Sequence, residues 1–300
     1  MAPWMVAGDE LVVPRVLHTR GAANGGLARL LAPEPIEVAG NLPEAVVEAK
    51  ADILVTSRLS SFDLVPVCVP IDFDHEAVDH VLAAVGTGPH SRFAADVAVQ
   101  LGAELGVKVE LVAAALDSEA DDAERRLVRL AEDRPGTLWR VAATSDPVAM
   151  LEEAPDGTLL VLGAPGGNWF QRQMFGAGAR LRAKTPGGSV VVRNAPRRVF
   201  HVVREPTLWL SPHMNAADGP PLMVDEMAPV VDGGVLVGVV SRARLAADPS
   251  GMIGDHVIPA PTVQLIDSVD ALADVAAFFG DSPIPIVDDD GRLVGEALRS

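Results

Sequence analysis

Three glycines that follow the apolar run Thr158–Leu162 have the spacing expected of a phosphate-binding loop. Gly163 and Gly166 flank an Ala-Pro pair, and nine further residues separate Gly166 from Gly176, which directly precedes Ala177. Glycine lets a ligand approach the backbone without meeting a Cβ, and free amides at a helix start favour an anion. The spacing therefore predicts a phosphate cradle, although glycines that only shape a tight turn would give the same pattern.

A second segment with donor groups follows another apolar run, which ends at Val85. Gly86, Thr87 and Gly88 form a turn-rich stretch before Ser91, and their amides and hydroxyls could donate to the same ligand. Arg172, between Gly166 and Gly176, is the nearby cation able to offset phosphate charge. His90 lies in the same turn and is expected to be a solvent-exposed histidine. The lysine-bearing phosphate loop of the common NTPases is absent, as is the Gly-x-Gly-x-x-Gly dinucleotide motif.

Elements that could position these residues alternate regularly between residues 79 and 195. Apolar runs typical of buried strands are separated by segments with apolar residues at helical spacing. The predicted strands are His80–Val85, Val107–Ala114, Leu138–Ala143, Thr158–Leu162 and Ser189–Arg193, and the predicted helices are Ser91–Leu105, Ser118–Asp133, Asp146–Glu153 and Ala177–Lys184. Strands separated by helices predict an α/β sandwich, a parallel sheet covered on both faces.

The first 78 residues show a shortened form of the same pattern. A predicted helix, Pro43–Lys50, and a predicted strand, Asp52–Thr56, repeat the order of Asp146–Glu153 and Thr158–Leu162. A further apolar run, Val65–Pro70, corresponds to the last strand of the longer segment. Residues 1–78 are therefore either a truncated second α/β lobe or an unrelated extension, and the pattern fits both.

The segment Leu160–Arg193, with Gly-x2-Gly-x9-Gly before a helix and a closing strand, resembles the universal stress protein (UspA-like) family. The match extends back through His80–Leu105. The resemblance implies a parallel-sheet α/β sandwich in which Gly163, Gly166 and Gly176 hold the phosphates and ribose of ATP.

Two positions depart from that family's pattern. The family has Ser or Thr where this chain has Ala177, which removes one hydrogen bond worth about 0.5–1.5 kcal/mol. It has an acidic residue on the adenine side where this chain has Gly86, although Thr87 and Ser91 could partly replace that contact. Together the two losses would weaken nucleotide affinity by roughly ten- to a hundred-fold.

Beyond residue 196 the chain contains an internal repeat. The segments Pro229–Asp232 and Leu236–Gly238 recur as Pro285–Asp288 and Leu293–Gly295. Such a pair predicts two β-α-β-β units that cover each other's apolar faces. The Asp-rich segment between the last two segments is predicted to be a β-turn rather than a calcium loop.

This repeat resembles a pair of cystathionine-β-synthase (CBS) domains, a fold of the α+β class. The resemblance implies an adenosine-binding cleft between the copies, but Arg244 stands where the family has a ribose-binding Asp. Copy two carries no hydroxyl residue in Gly295–Leu298, and Gly219–Pro221 should break the first helix of copy one. We expect the fold to be retained and the nucleotide cleft to be damaged.

The charge balance excludes broad classes of partner. The 300-residue chain carries 24 Lys and Arg against 41 Asp and Glu, a formal net charge of −17. This charge disfavours nucleic acid and anionic membrane surfaces. With Cys68 as its one cysteine and no apolar run of membrane-spanning length, the chain is expected to be cytoplasmic and free of internal disulfides. The acids and histidines of segment 74–80 lack metal-site spacing, so no metal site is predicted.

Together these patterns predict three parts, residues 1–78, 79–195 and 196–300. The predicted function is that of an adenine-nucleotide-binding regulatory protein of the stress type, which signals to a partner by a change of conformation. ATP or another adenine nucleotide, with Mg, is the expected ligand, and a homodimer or another protein the expected partner. No nucleophile–base pair is recognisable, so no enzyme is predicted. The alternative is a scaffold or accessory subunit that binds no nucleotide.

Overall fold

The structure, a computed structural model, describes residues 14–58, 62–144, 154–164 and 187–298, together with the backbone of residues 6–7 and 10–11. The chain divides into two compact units, which we call the N-terminal unit (Met1–Ala195) and the C-terminal unit (Pro196–Ser300). In the described parts of both units, no helix combines the length and the apolar character needed to cross a bilayer.

The described residues of the N-terminal unit alternate between strands and helices. Its strands are β1 (Val6–Ala7), β2 (Glu10–Leu11), β3 (Val16–Thr19), β4 (Ile36–Val38), β5 (Ile53–Val55), β6 (Val67–Ile71), β7 (His80–Ala84), β8 (Lys108–Ala115), β9 (Leu138–Ala143), β10 (Thr158–Gly163) and β11 (Ser189–Arg193). Its helices are α1 (Ala22–Leu31), α2 (Leu42–Glu48), α3 (Ser91–Leu105) and α4 (Ala120–Glu132).

Nine of these strands form one sheet in the order β4-β3-β5-β6-β11-β10-β7-β8-β9. Every neighbouring pair is parallel except β6 and β11, which run antiparallel with Val67 opposite Arg193 and Ile71 opposite Ser189. The predicted α/β class with a parallel-dominated sheet is therefore confirmed. Strands from the first 78 residues lie in the same sheet as those from residues 79–195.

The antiparallel pair divides the sheet into a first half (β4, β3, β5, β6) and a second half (β11, β10, β7, β8, β9). Numbered along the chain, the strands of the second half lie in the order 5-4-1-2-3, and those of the first half in the order 2-1-3-4. If the third strand is removed from the second half and the remaining strands are renumbered, the order becomes 4-3-1-2. Read from the opposite edge, this is the order 2-1-3-4 of the first half. The first half therefore repeats the second without a counterpart of β9, which leaves β4 at the edge.

Individual elements match the sequence predictions closely in the second half. Helix α3 and strands β9 and β11 have the predicted bounds, whereas α4 begins two residues late because a 3-10 turn, Asp117–Glu119, precedes it. The predicted helices Asp146–Glu153 and Ala177–Lys184 lie outside the described residues. In the first half, β3, α1 and β4 were not predicted, because the strands are short and α1 contains weak helix formers.

The core of the N-terminal unit is continuous across both halves. One cluster joins side chains of β3 and α1, such as Val16 and Leu27, to those of β7 and α3, such as Val81 and Leu101. Beside this core, Asp96 of α3 and Arg134 after α4 form a fully buried ion pair, with Arg134 Nε donating to Asp96 Oδ1 at 3.0 Å. Burial raises the pKa of Asp96 to about 6, although the charge of Arg134 favours the ionised carboxylate.

The C-terminal unit consists of two copies of one structural repeat. Its strands are β12 (Met227–Asp232), β13 (Val235–Ser241), β14 (Val263–Gln264), β15 (Ile284–Val287) and β16 (Leu293–Ala297), and its helices are α5 (Arg242–Ala247) and α6 (Asp270–Phe279). In copy two, β14 pairs parallel with β15, which pairs antiparallel with β16. In copy one, β12 pairs antiparallel with β13, and Leu210 pairs parallel with Val230 of β12 in place of a first strand. The register shifts after Val230 in copy one and after Ile286, the corresponding residue, in copy two.

The two copies differ in their first helix. Copy two has the ten-residue helix α6, whereas copy one has a three-residue 3-10 helix, Ala216–Asp218, at the corresponding place. Gly219 follows this turn and lies so close to Leu245 that a Cβ would come within 2.6 Å of its Cδ1. The predicted loss of the helix before Gly219–Pro221 is therefore confirmed.

Each copy also pairs with the segment that precedes the other copy. Ile258, ahead of copy two, exchanges backbone hydrogen bonds with Val239 of copy one, and Arg204, ahead of copy one, exchanges them with Glu296 of copy two. A Cβ on Gly238 would lie 2.5 Å from the Ile258 oxygen, and one on Gly295 would lie 2.7 Å from the Arg204 oxygen. The repeated glycine is therefore required because a chain crosses over it in both copies.

Candidate functional site

The candidate site lies at the carboxyl ends of β7 and β10, which are neighbours in the sheet. From β7 the chain continues to β8 and β9 on one side, and β10 and β11 lie on the other side. This is the position at which the strand order changes direction, and in open parallel sheets ligands bind in the crevice outside the strand ends at that point. The topology therefore brings the segment after β7 next to the segment after β10.

The segment after β7 is an exposed loop that leads into the first turn of α3. Gly86, Thr87 and Gly88 are exposed, and the Gly86 amide donates a hydrogen bond to Ser91 Oγ at 2.9 Å. Ser91 Oγ thus accepts one hydrogen bond within the loop, and its O–H group can still donate to a ligand. A Cβ on Gly86 would lie 3.8 Å from Ser91 Oγ, so the position has room for a side chain.

Gly163, the last residue of β10, packs against the residue that precedes α3. A Cβ on Gly163 would lie 3.1 Å from the Cβ of His90, which is tighter than ordinary contacts allow. This close approach is a reason for glycine at position 163 that does not involve a ligand. The structure therefore connects the two predicted segments through His90.

His90 was expected to be a solvent-exposed turn residue, and this expectation is wrong. Its side chain is half-buried, and its Nδ1 accepts a hydrogen bond from the Asn194 backbone amide at 3.0 Å. Burial, and then the nearby positive charge of Arg193, hold the pKa of His90 below its usual value. A neutral imidazole keeps the lone pair that the Asn194 amide requires. The contact joins residues 104 positions apart, so no local pattern could have indicated it.

The structure describes only part of the predicted nucleotide-binding set. The residues that it brings to this edge of the sheet are Gly86, Thr87, Gly88, Ser91 and Gly163. The other predicted members, Gly166, Arg172, Gly176 and Ala177, lie outside the described residues. Among the described residues, no group of three or more His, Cys, Asp or Glu side chains could hold a metal ion.

In the C-terminal unit, the polar groups of copy one are used to begin a helix. Ser241 Oγ accepts from the Arg244 amide at 3.1 Å and donates to Glu226 Oε1 at 3.1 Å. The same Glu226 oxygen accepts from the Ala243 amide. The Ser241 hydroxyl and the Glu226 carboxylate are therefore committed to the cap of α5.

In copy two, a buried carboxylate occupies the crossing point. Glu296 is 4% exposed, and its Oε1 accepts from Arg204 Nη2 at 2.8 Å and from Nε at 3.0 Å. The amide of Thr207 donates to Glu296 Oε2 at 3.2 Å. No local sequence pattern indicated this cluster, because the partners of Glu296 lie about 90 residues away.

No protein-family model matches the chain, and no curated protein matches it. Comparison with solved structures found pairs of CBS domains. A CBS domain pair/ACT domain protein from Thermotoga maritima is 20% identical, with 34% of this chain and 88% of that chain covered and a TM-score of 0.32.

Two further structures contain adenine nucleotides. CBSX2 of Arabidopsis thaliana in complex with AMP is 26% identical, with 34% of this chain and 90% of that chain covered and a TM-score of 0.30. The cytosolic domain of the Mg²⁺ channel MgtE in complex with ATP is 22% identical, with 34% of this chain and 45% of that chain covered and a TM-score of 0.30. Each of these similarities covers about a third of this chain.

Proposed function

We propose that this chain is an adenine-nucleotide-binding regulatory protein, with a universal-stress-type α/β unit followed by a CBS-like pair. The observation that carries the proposal is the position of two glycine-bearing strand ends, at Gly86 and Gly163, side by side where the strand order changes direction. Backbone amides at such an edge can hold phosphate without a large positive field. That property matters in a chain whose net charge is −17.

In this proposal the glycine loop holds the phosphates of ATP, and Mg accompanies them. Gly163 begins the loop, and Gly166, Gly176 and Arg172 continue it along the sequence. The amides of Thr87 and Gly88 and the Thr87 hydroxyl face the base and ribose side, as the universal stress resemblance implies. The protein acts by binding and not by turnover.

The signal is proposed to pass through His90. This residue touches Gly163 at the end of β10 and accepts from Asn194 after β11, so it joins both sides of the crevice. A nucleotide that displaces His90 would favour one arrangement of these strand ends, and a ligand shifts an equilibrium only by its difference in affinity for the two states. A second copy of the chain or another protein would read that change.

We place the nucleotide in the N-terminal unit because the two polar clusters described in the C-terminal unit, around Ser241 and Glu296, are already bonded within the protein. Ser241 caps α5, and Glu296 is neutralised by Arg204. The CBS-type neighbours bound to ATP and AMP make a second adenine site in the C-terminal unit the natural competitor. The experiment below separates these two locations.

Gly86→Asp tests the proposal by restoring the acidic residue that the family resemblance implies. The position has room for a side chain, and the new carboxylate would accept from the base or ribose. Because a charged hydrogen bond contributes about 1.5–3 kcal/mol, we expect Mg-ATP to bind at least about ten-fold more tightly in isothermal titration calorimetry. Gly88→Asp is the matched control, since its Cβ would meet nothing within 4 Å, and it should not tighten binding.

Two further outcomes locate the site. Gly166→Val should abolish ATP binding if the glycine loop holds the phosphates. If AMP and ATP bind equally well to wild type and Gly166→Val, the nucleotide lies elsewhere and the proposed location is wrong. If neither nucleotide binds wild type or Gly86→Asp at millimolar concentration, the nucleotide proposal as a whole is wrong.

The alternative function, a scaffold or accessory subunit without a nucleotide, is favoured by one specific observation. The two side chains nearest the predicted adenine side, His90 and Ser91, are both bonded within the protein. Under this alternative the His90 contact fixes the strand ends permanently. His90→Ala would then lower stability without raising affinity for ATP, whereas under the nucleotide proposal it would raise affinity.

A further inference from the structure

A cavity of about 710 Å³ lies in the first half of the sheet, away from the candidate nucleotide site. The residues that line it and carry the argument are His18, Arg20, Gly25, Arg29, Glu34 and Glu37. These come from β3, α1, β4 and the turns beside them. Because β4 is the edge strand, no strand corresponding to β9 borders this side of the sheet, and the space beside α1 stays open.

His18 is the buried polar residue of the cavity. It lies two residues after Val16, so both side chains face the α1 side of the sheet, where Val16 joins the core. His18 is 8% exposed, and its Nδ1 lies 3.2 Å from the Thr19 carbonyl oxygen. Within the described residues its Nε2 has no hydrogen-bond partner. This nitrogen is not fully enclosed by protein, so it reaches the open space of the cavity, where a ligand can form a hydrogen bond with it.

Gly25 of α1 leaves space beside the His18 ring. It lies in the interior of α1 beside Gly26, and glycine inside a helix is unfavourable. Packing does not require glycine there, because a Cβ on Gly25 would lie 3.6 Å from His18 Cε1, an ordinary contact distance. What glycine does provide is an uncovered edge of the His18 ring.

The charges of the cavity favour a ligand with one anionic end. The N-cap of α1 is Gly21, which makes no side-chain cap, and the first turn contains no acidic residue. Arg20 pairs with Glu37 at 3.4 Å, whereas Arg29 Nε donates to the Gly25 carbonyl at 3.1 Å. Among the described residues Arg29 has no carboxylate partner. A helix start, a guanidinium and an imidazole are donors that suit phosphate, and Glu34 is free to accept from hydroxyl groups.

We propose that this cavity binds a small phosphomonoester with hydroxyl groups, of the size of a pentose phosphate. The phosphate lies at the start of α1 and is held by Arg29 and by His18 Nε2, and the hydroxyl groups face Glu34 and Glu37. This second site does not depend on the proposed nucleotide function.

Titration calorimetry of the full chain with ribose 5-phosphate tests the site. Gly25→Ala should weaken binding at least ten-fold, because the new methyl group would lie 3.6 Å from His18 Cε1 and 3.9 Å from Arg29 Nη2, beside both side chains that hold the phosphate. Gly26→Ala is the matched control: it makes the same change one residue later, where a Cβ would meet only Phe73, at 4.0 Å, and it should leave binding unchanged. Both variants are expected to melt higher than wild type because alanine favours the helix, so lost binding cannot be attributed to unfolding.

The NMR signal of His18 Cε1–H locates the ligand. This signal is identified by its absence in His18→Gln, and ribose 5-phosphate should shift it in wild type and in Gly166→Val alike. Saturating Mg-ATP should not block the shift, which separates this site from the nucleotide site. The proposal is overturned if ribose 5-phosphate does not bind wild type at millimolar concentration, if Gly25→Ala and Gly26→Ala bind equally, or if Gly166→Val abolishes binding.

Discussion

The two halves of the nine-stranded sheet share a strand order but differ in how they are closed. In the second half β9 continues the sheet beyond β8, and α4 contributes Leu127 to the core. In the first half the counterpart of β8 is β4, a three-residue edge strand whose Ile36 is 52% exposed. Strand β8 has a neighbour on each side, whereas β4 has no neighbour on its outer side. The comparison teaches that the same strand order can be joined by a side-chain contact at His90 in one half and leave an open cavity beside His18 in the other.

The buried ion pair of the second half offers the largest effect. Asp96→Asn leaves the charge of Arg134 buried without a counterion, which typically costs about 3–5 kcal/mol. We expect a loss of that size in the free energy of unfolding, measured by urea denaturation at pH 7. Asp122→Asn is the control, because Asp122 pairs with Arg125 at an exposed surface, and it should cost less than about 0.5 kcal/mol.

The double variant Asp96→Leu/Arg134→Met sharpens this test. Both charges are removed together, so most of the lost stability should return. If the double variant is as unstable as Asp96→Asn, the effect comes from packing and not from the unpaired charge.

Shortening one side chain on the second strand of each half measures directly how well that strand is covered. Leu111 of β8 is fully buried in the core, so Leu111→Ala should cost about 2–5 kcal/mol. Ile36→Ala, on β4, should cost less than about 0.5 kcal/mol because the side chain is half exposed. Equal losses in the two variants, measured by chemical denaturation, would mean that β4 is covered in solution and that the two halves are closed alike.

The smallest expected effect concerns the pH dependence of the His90 contact. The pKa of His90 lies below its ordinary value of 6.5, so the folded state binds fewer protons than the unfolded chain between those two values. The contribution of this contact to stability is therefore present above pH 6.5 and is lost as the pH falls through the folded pKa. In an NMR titration the Asn194 amide should shift with the same midpoint as the His90 ring, below pH 6.5. An Asn194 amide that does not follow His90 would contradict the hydrogen bond.

Sequence patterns predicted the second half of the sheet and the C-terminal repeat well because both rest on local signals. The run Thr158–Leu162 is continuously apolar, as a strand buried on both faces must be, and Ser91–Leu105 carries apolar residues at helical spacing. The glycine at positions 238 and 295 was visible as a repeat, but its reason, a crossing backbone, was not.

The sequence by itself determined where strands and helices alternate, that the chain is acidic, and that glycines follow two strand ends. Only the tertiary structure decided that β6 and β11 run antiparallel and so join the halves into one sheet, and that His90 lies against Gly163. It also decided that His18 lies beneath Gly25 at an open edge. The physical reason is that periodicity reports only on residues a few positions apart. Strand pairing and the burial of polar side chains depend on contacts between residues as many as 104 positions apart.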